Sequence, residues 1–249
     1  MFTVITTPVT EIPLVSPGDD VGGLLLNGLS ENEIELENGD MIVVAQTIVS
    51  KAEGNVVNLE SVRPSSEAER FGEELGKDPR KMEMILRETE SIVRQAHVLI
   101  SQTKHGFVCA NAGVDSSNVG EGKVTLLPRD PDRSAKEIRD LILEEIGKRV
   151  GVIISDSWGR PFRLGAVGFA IGIAGIKPLE DLRGRKDAYG RELKSTSVAP
   201  PDALAAVASL DMGEADEKIP AVVIRDPPCE LKEGSISDLI RSEEKDLFR

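Results

Sequence analysis

The strongest constraint on the fold is an alternation of short apolar runs with segments of helical period. The runs "DMIVVA", "VGVII" and "AVVIR" are rich in β-branched residues, which is typical of strands buried in a sheet. The residues that follow "DMIVVA", which include Gln46, Thr47 and Ser50, are predicted to form a polar loop. Helices are predicted over residues 65 to 76, from about Pro79 to Arg94 and from about Asp202 to Met212.

Three further segments complete this prediction. "DPDRSAKEIRDLILEEIGKR" is expected to be a helix, with Ser134 and Glu137 as a capping box and Gly147 at its end. "GFVCANAG" is predicted to be a strand. "GAVGFAIGIAGIKPL" is apolar but rich in glycine, which favours strands with close backbone contacts over a helix. We therefore expect an α/β (mixed α+β) fold with a mixed sheet and flanking helices. Residues 1–249 would form one unit, built as two intertwined lobes whose boundary the sequence does not place.

Charge and composition exclude several classes of function. A chain of 249 residues with a formal net charge of -13 would be repelled by nucleic-acid phosphates. No run approaches the ~18 apolar residues of a membrane span, and the N-terminus lacks the basic region of a signal peptide. We expect a cytoplasmic protein that binds neither nucleic acid nor membrane. Cys109 and Cys229 are isolated and are expected to be core residues. With His97 and His105 they lack the spacing of a zinc site.

Carboxylates follow the predicted strands. Asp156 comes one residue after "VGVII", Ser157 adds a hydroxyl beside it, and Asp115 follows "FVCANAGV" within the loop "NAGVDSSNVGEG". Glu214 follows Gly213 at the predicted end of a helix, where glycine allows a sharp turn. Carboxylate and hydroxyl oxygens are the ligands that hard divalent ions prefer. These residues therefore predict a metal site, although each carboxylate alone could simply cap a turn.

Basic side chains form a complementary set. Candidates for binding an anion or substrate are Arg160, Arg163, Arg185, Lys186 and Arg191. Arginine suits bidentate contacts with phosphate or carboxylate, and Lys51 could supply a point charge. The alternative is that these charges pair with acids on the surface. No phosphate-binding loop of the "GxxxxGK[ST]" type is present, since the nearest segment, "GEELGKD", has the wrong spacing.

Six ordered segments resemble the coenzyme F420-0:L-glutamate ligase family. They are "IPLV", "AQTIVSKAEG", "VCANAGVDSSNV", "VGVIISDSWGRPFRLGAVGFAIG", "GRKDAYGREL" and "MGEADEKIPAVVIR". The resemblance runs from about residue 11 to Arg225. It implies a family-specific fold and a homodimer. It also implies a GTP-dependent ligase that joins L-glutamate to the deazaflavin precursor F420-0 through a gamma-glutamyl bond. Two Mg²⁺ or Mn²⁺ ions would be required, and K⁺ would stimulate the enzyme.

The same resemblance assigns site residues by position. Metal ligands would be Asp115, Asp156, Ser157 and Glu214. Guanine-nucleotide contacts would be Ile12, Pro13, Leu14, Val15, Gln46, Thr47, Lys51, Asn118, Leu210, Asp211, Met212, Gly213, Glu214, Ala215, Asp216 and Glu217. The chain departs from the family's pattern at Gln46 and Ser157, where relatives have Ser and Thr, but both replacements keep an oxygen. "GEADEKIP" also has fewer glycines than the related "GEGGDGIP".

The implied reaction begins with attack of the precursor's carboxylate on the γ-phosphate of GTP. The resulting acyl phosphate would then react with the amine of glutamate. Two alternatives use the same residues. A metal-dependent phosphate-ester hydrolase would release phosphate without glutamate, and a non-catalytic nucleotide-binding module would bind nucleotide without turnover.

Overall fold

The computed structural model describes residues 3–246, which contain twelve strands and six α-helices. In chain order the strands are β1 (Ile5–Val9), β2 (Met41–Ala45), β3 (Val56–Asn58), β4 (Thr89–Gln95), β5 (Leu99–Thr103), β6 (Val108–Ala110), β7 (Lys123–Thr125), β8 (Gly151–Arg160), β9 (Arg163–Ala174), β10 (Glu180–Asp181), β11 (Ser197–Val198) and β12 (Ala221–Arg225). The helices are α1 (Val21–Glu31), α2 (Gln46–Ala52), α3 (Ser66–Leu75), α4 (Pro79–Glu88), α5 (Pro131–Ile146) and α6 (Pro200–Met212).

The largest sheet is mixed and has five strands in the order β1-β12-β2-β8-β9. Strands β2 and β8 are parallel, and the other neighbouring pairs are antiparallel. Helices α5 and α6 both pack against β9, and α1 packs against α5. The expected α/β fold with a mixed sheet and flanking helices is therefore confirmed.

Two separate hydrophobic cores lie in the described part of the chain. The main core surrounds the five-stranded sheet and includes Leu25, Ile153 and Ile171. The second core is drawn from residues 59 to 124 and includes Phe71 and Ile85. We call the elements around these cores the main lobe and the small lobe. The small lobe is inserted in sequence between α2 and α5, so the loops that enter and leave it lie beside the main sheet.

Glycines allow close approach where the sequence predicted it. A Cβ atom on Gly168 would lie 2.4 Å from the carbonyl oxygen of Ala205 in α6. A Cβ on Gly172 would lie 2.4 Å from the backbone of Pro131 in α5. This glycine-rich run is strand β9, as predicted, because helices could not pack this closely on a bulkier strand.

Three local predictions were wrong. The helix expected to reach Arg94 ends at Glu88, because the β-branched segment from Thr89 pairs with β5 instead. The residues after β2 form helix α2 and not a loop; Ser50 Oγ donates to Gln46 Oε1 at 2.8 Å, and both side chains are buried. The capping box is also absent, since Asp130 is the N-cap of α5, about one turn before Ser134, and Ser134 Oγ instead donates to Glu53.

Other local predictions were confirmed. Helices α3 and α6 and strand β12 lie where the sequence placed them, and α5 ends at Gly147 in the left-handed conformation. Cys109 is buried, Cys229 is half-buried, and both are free thiols. Burial raises the pKa of Cys109 to about 12. Within residues 3–246, no helix is both long and apolar enough to cross a bilayer.

Candidate active site

A cavity of about 510 Å³ lies where the main lobe meets the loop that leaves β6. Most of its wall comes from five segments: residues 12–15 after β1, the start of α2, residues 110–118, the middle of β8, and residues 212–220 from the last residue of α6 onward. A volume of this size suits a small-molecule ligand. The cavity is therefore the principal candidate for the active site.

Asp156 lies in β8 at the point where the strand passes from its buried half to its exposed half. Its two oxygens accept hydrogen bonds from the Ser157 amide at 2.9 Å and from Trp158 Nε1 at 2.7 Å. Burial raises the pKa of Asp156 to about 6, and the charges of Asp115 and Glu214 add to this rise, while the two hydrogen bonds oppose it. Asp115 and Glu214 therefore lie close enough to Asp156 to affect its ionisation.

Asp115 is positioned by an unusual turn. Asn111, Ala112 and Gly113 all have positive φ, and a Cβ on Gly113 would lie 2.6 Å from Leu127. Only glycine fits so close to that side chain in this conformation. The Asp115 backbone then bonds to Thr125 in both directions, at 3.1 and 2.8 Å, which anchors the loop to β7. The loop thus holds the Asp115 carboxylate at the cavity wall.

Glu214 reaches the cavity wall from the segment that follows α6. Helix α6 ends at Met212, and its C-cap Gly213, with a φ of +68°, turns the chain at this point. Glu214 Oε1 accepts a hydrogen bond of 2.6 Å from Ser157 Oγ. A contact between residues so far apart in sequence places these two predicted ligands beside each other.

The donor set fits a divalent cation that also binds a phosphate. Among the described residues, no group of three His, Cys, Asp or Glu side chains is gathered tightly enough to form a complete protein cage for a metal. Mg²⁺ is commonly held by one or two carboxylates together with substrate phosphates and water, and does not need such a cage. Three carboxylates and a hydroxyl on one cavity wall, with mutual repulsion that a cation would relieve, match that chemistry.

The cavity wall also contains most of the predicted nucleotide contacts. These are Ile12, Pro13, Leu14, Val15, Gln46, Thr47, Lys51, Asn118, Met212, Gly213, Glu214, Ala215, Asp216 and Glu217. Burial lowers the pKa of Lys51. Leu210 and Asp211 are not part of the wall, and the Leu210 side chain is 83% exposed.

The predicted anion-binding residues lie elsewhere in the described chain. None of Arg160, Arg163, Arg185, Lys186 and Arg191 lines the cavity. Arg160 Nη2 donates to the carbonyl oxygen of Leu164, and Arg185 pairs with Glu180 at 3.2 Å. The surface-pairing alternative thus describes Arg185. A role for these residues in binding substrate remains a prediction.

Sequence reasoning missed several residues of the wall, including Trp158, Asn111 and Lys218. Trp158 stacks with Phe169 at a ring-centroid distance of 5.6 Å and contacts Phe107 at 5.4 Å. The position of Trp158, two residues after Asp156, was the feature of the sequence that could have indicated its contact with that carboxylate. In a strand, residues two apart lie on the same face, so an indole at that position can reach the carboxylate.

Comparison with known proteins identifies the family. The profile of the F420-0:Gamma-glutamyl ligase family matches residues 10–226. The coenzyme F420:L-glutamate ligase of Methanothermobacter thermautotrophicus is 51% identical over 244 residues, which cover 97% of this chain and 97% of the relative. Proteins of the same name are 49% identical in Methanocaldococcus jannaschii, over 96% of this chain and 94% of the relative, and 46% in Archaeoglobus fulgidus, over 97% and 95%. The chain therefore belongs to the F420-0:gamma-glutamyl ligase family.

Proposed function

We propose that this protein is a GTP-dependent amide ligase that adds L-glutamate to the deazaflavin precursor F420-0, in the biosynthesis of coenzyme F420. Family membership and the names of its relatives support the ligation. One observation carries the rest of the proposal: a single cavity brings together Asp115, Asp156, Ser157 and Glu214 with the segments expected to contact a guanine nucleotide.

The proposed reaction has two steps. An oxygen of the precursor's carboxylate attacks the γ-phosphorus of GTP, the bond to the β-phosphate oxygen breaks, and GDP leaves. The amine of glutamate, having lost a proton, attacks the acyl carbon of the resulting acyl phosphate. The amide forms as the acyl–oxygen bond breaks, and inorganic phosphate leaves. Coupling to GTP makes formation of the amide favourable.

Residues of the cavity wall would bind and orient the reactants. Asp115 and Asp156 would hold one divalent ion, and Ser157 with Glu214 a second. When bound, Mg²⁺ or Mn²⁺ supplies positive charge to the phosphate oxygens. Trp158 and the Ser157 amide fix the orientation of the Asp156 carboxylate. Lys51 contributes a cation for the nucleotide's phosphates. Stimulation by K⁺ remains a prediction from the family resemblance.

We also propose that the protein is a homodimer. Strand β9 presents Leu164, which is 99% exposed, just after the turn that joins it to β8, and α6 presents Leu210. Strands β8 and β9 both become exposed toward this turn. Contact with a second copy would remove these apolar side chains from water.

Product analysis distinguishes the ligase from its two alternatives. The purified protein is incubated with GTP, Mn²⁺, F420-0 and L-glutamate, and the products are weighed by mass spectrometry. A GTP-dependent gain of one glutamyl unit on the precursor is expected. Phosphate release without glutamate would instead indicate a hydrolase, and binding without turnover would indicate a nucleotide-binding module.

Removal of Asp156 should abolish most of the activity. Electrostatic contributions of this kind are worth about 3 kcal/mol or more, so Asp156→Ala should lower turnover at least about a hundredfold. Asp181→Ala is a matched control, because that carboxylate lies outside the cavity and pairs with Arg183. Ligation at the wild-type rate by folded Asp156→Ala would remove this carboxylate from the mechanism.

A further inference from the structure

The cavity wall is poorly suited to acidic substrates by itself. Its acidic residues are Asp115, Asp156, Glu214, Asp216 and Glu217, whereas the basic residues that the described part of the chain contributes to it are Lys51 and Lys218 alone. In the proposed reaction the amine of L-glutamate reacts, so both of its carboxylates stay ionised throughout. Divalent ions bound with the nucleotide would not neutralise groups at the far end of glutamate. The site therefore needs further positive charge beside the wall.

Two lysines of the small lobe lie behind the loop that carries Asp115. Lys77 Nζ donates to Oδ1 of Asn111, which lines the cavity, at 3.3 Å. Lys81 Nζ donates to Ser116 Oγ at 2.7 Å, beside the wall residue Ser117. Both lysines thus contact the loop that forms this part of the cavity wall, Lys81 from α4 and Lys77 from the residues before it.

These two ammonium groups lack an acidic partner within the described residues. Burial and the positive charge of Lys81 lower the pKa of Lys77, and no carboxylate counters them. The nearest acid in the sequence, Asp78, is bonded to Arg80 at 2.6 Å. Each ammonium has three donors, and the loop uses only one of each, so donors remain for a ligand.

We infer that Lys77 and Lys81 form an anion-binding subsite at the rim of the cavity, which takes a carboxylate of the incoming L-glutamate. This inference rests on the proposed ligase activity. Each neutral contact with the loop holds a lysine in place without neutralising it. An arriving carboxylate would relieve the repulsion between the two ammonium groups.

The test compares Lys77→Met and Lys81→Met, singly and together, with wild type. Methionine keeps much of the length of the side chain and removes the charge. Lys136→Met is the matched control, because Lys136 is an exposed lysine of α5 away from the cavity. The probe for binding is glutarate, a dicarboxylate without the reacting amine.

In the double variant, the KM for L-glutamate and the inhibition constant of glutarate should both rise at least about tenfold, which corresponds to about 1.4 kcal/mol. The KM values for GTP and F420-0 should stay within about twofold. Lys81→Arg keeps the charge that Lys81→Met removes, so it should retain most of the wild-type affinity for glutarate. Lys136→Met should behave as wild type.

Three results would overturn the inference. The first is a lower kcat with unchanged constants for glutamate and glutarate, because the lysines would then only support the loop. The second is a rise in the KM for F420-0 or GTP in place of glutamate. The third is unchanged kinetics in both single variants and the double variant.

Glutarate binding measured by calorimetry separates this inference from the proposed function. If wild type forms no amide but binds glutarate in a manner that depends on the two lysines, the ligase proposal fails and the subsite stands. If amide forms and glutarate binding is independent of both lysines, the subsite alone is wrong.

Discussion

Asp156 shows how a single residue of this site can lower the stability of the folded protein. A carboxylate held beside two others in a partly buried position raises the free energy of the charged folded state. Its type and its place after an apolar run were readable from sequence, as were Asp115 and Glu214. The hydrogen bond from Trp158 was not, because it depends on how the two side chains are oriented in β8. The sequence indicates which hydrogen-bonding groups are present, but not which of them bond to each other.

Asp156 should make stability depend on pH when no metal is bound. The pKa of Asp156 rises from 3.8 to about 6 on folding, so its favourable contribution is complete below pH 3.8 and is lost as pH rises through about 6. Asp156→Asn cannot ionise. In EDTA, its free energy of unfolding relative to wild type should therefore increase by about 2 to 3 kcal/mol between pH 4 and pH 8.

This comparison uses urea unfolding at both pH values, with Asp181→Asn as the control. For Asp181 the hydrogen bonds from Arg183 outweigh the effect of burial and lower the pKa to about 2. If the free energies of unfolding of Asp156→Asn and wild type differ by the same amount at pH 4 and pH 8, then folding does not raise the pKa of Asp156 as described above.

At the scale of elements, periodicity placed most strands and helices but misjudged their ends. Ile92 and Val93 fit the helical period of α4, yet the segment that contains them is rich in β-branched residues and pairs with β5 as strand β4. Helix α5 began early because Asp130 accepts from the Arg133 amide and Pro131 fits the first helical turn. Pairing with a distant strand decided the first boundary, and local periodicity contains no information on such a partner.

The packing of α5 on β9 should depend on Gly172. Because a Cβ at this position would lie 2.4 Å from the backbone of Pro131, Gly172→Ala should force the helix away from the strand. We expect a loss of about 1 to 3 kcal/mol in the free energy of unfolding, measured with denaturant. Gly159→Ala in β8 is the control, since an added Cβ there would have open space around it within the described residues 3–246. Equal stability of the two variants would contradict the packing described here.

At the scale of the whole molecule, the cavity is assembled from segments that the chain separates widely. Three of these segments are residues 12–15, 110–118 and 212–220. They meet because β1, β12, β2 and β8 are neighbours in one sheet, and because the loop after β6 lies beside that sheet. Sequence suggested two lobes without a boundary. The second core, built from residues 59 to 124, depends on contacts between elements that no single segment reveals.

The proposed dimer is tested at this scale. Leu164→Ser should shift the protein toward monomer in light scattering coupled to size exclusion, because the 99% exposed side chain is expected to be covered by the partner. Leu143→Ser, on α5 and 45% exposed, is the control and should remain dimeric. Wild type that is monomeric at micromolar concentration would rule out the dimer.

Transfer of an oxygen atom tests the central claim most directly. F420-0 labelled with oxygen-18 in the reacting carboxylate is converted with GTP, Mn²⁺ and L-glutamate, and the released phosphate is analysed by mass spectrometry. Attack of that carboxylate on the γ-phosphate predicts that one labelled oxygen appears in phosphate for each amide formed. Amide formation with wholly unlabelled phosphate would contradict the acyl phosphate, and with it the mechanism assigned to the cavity.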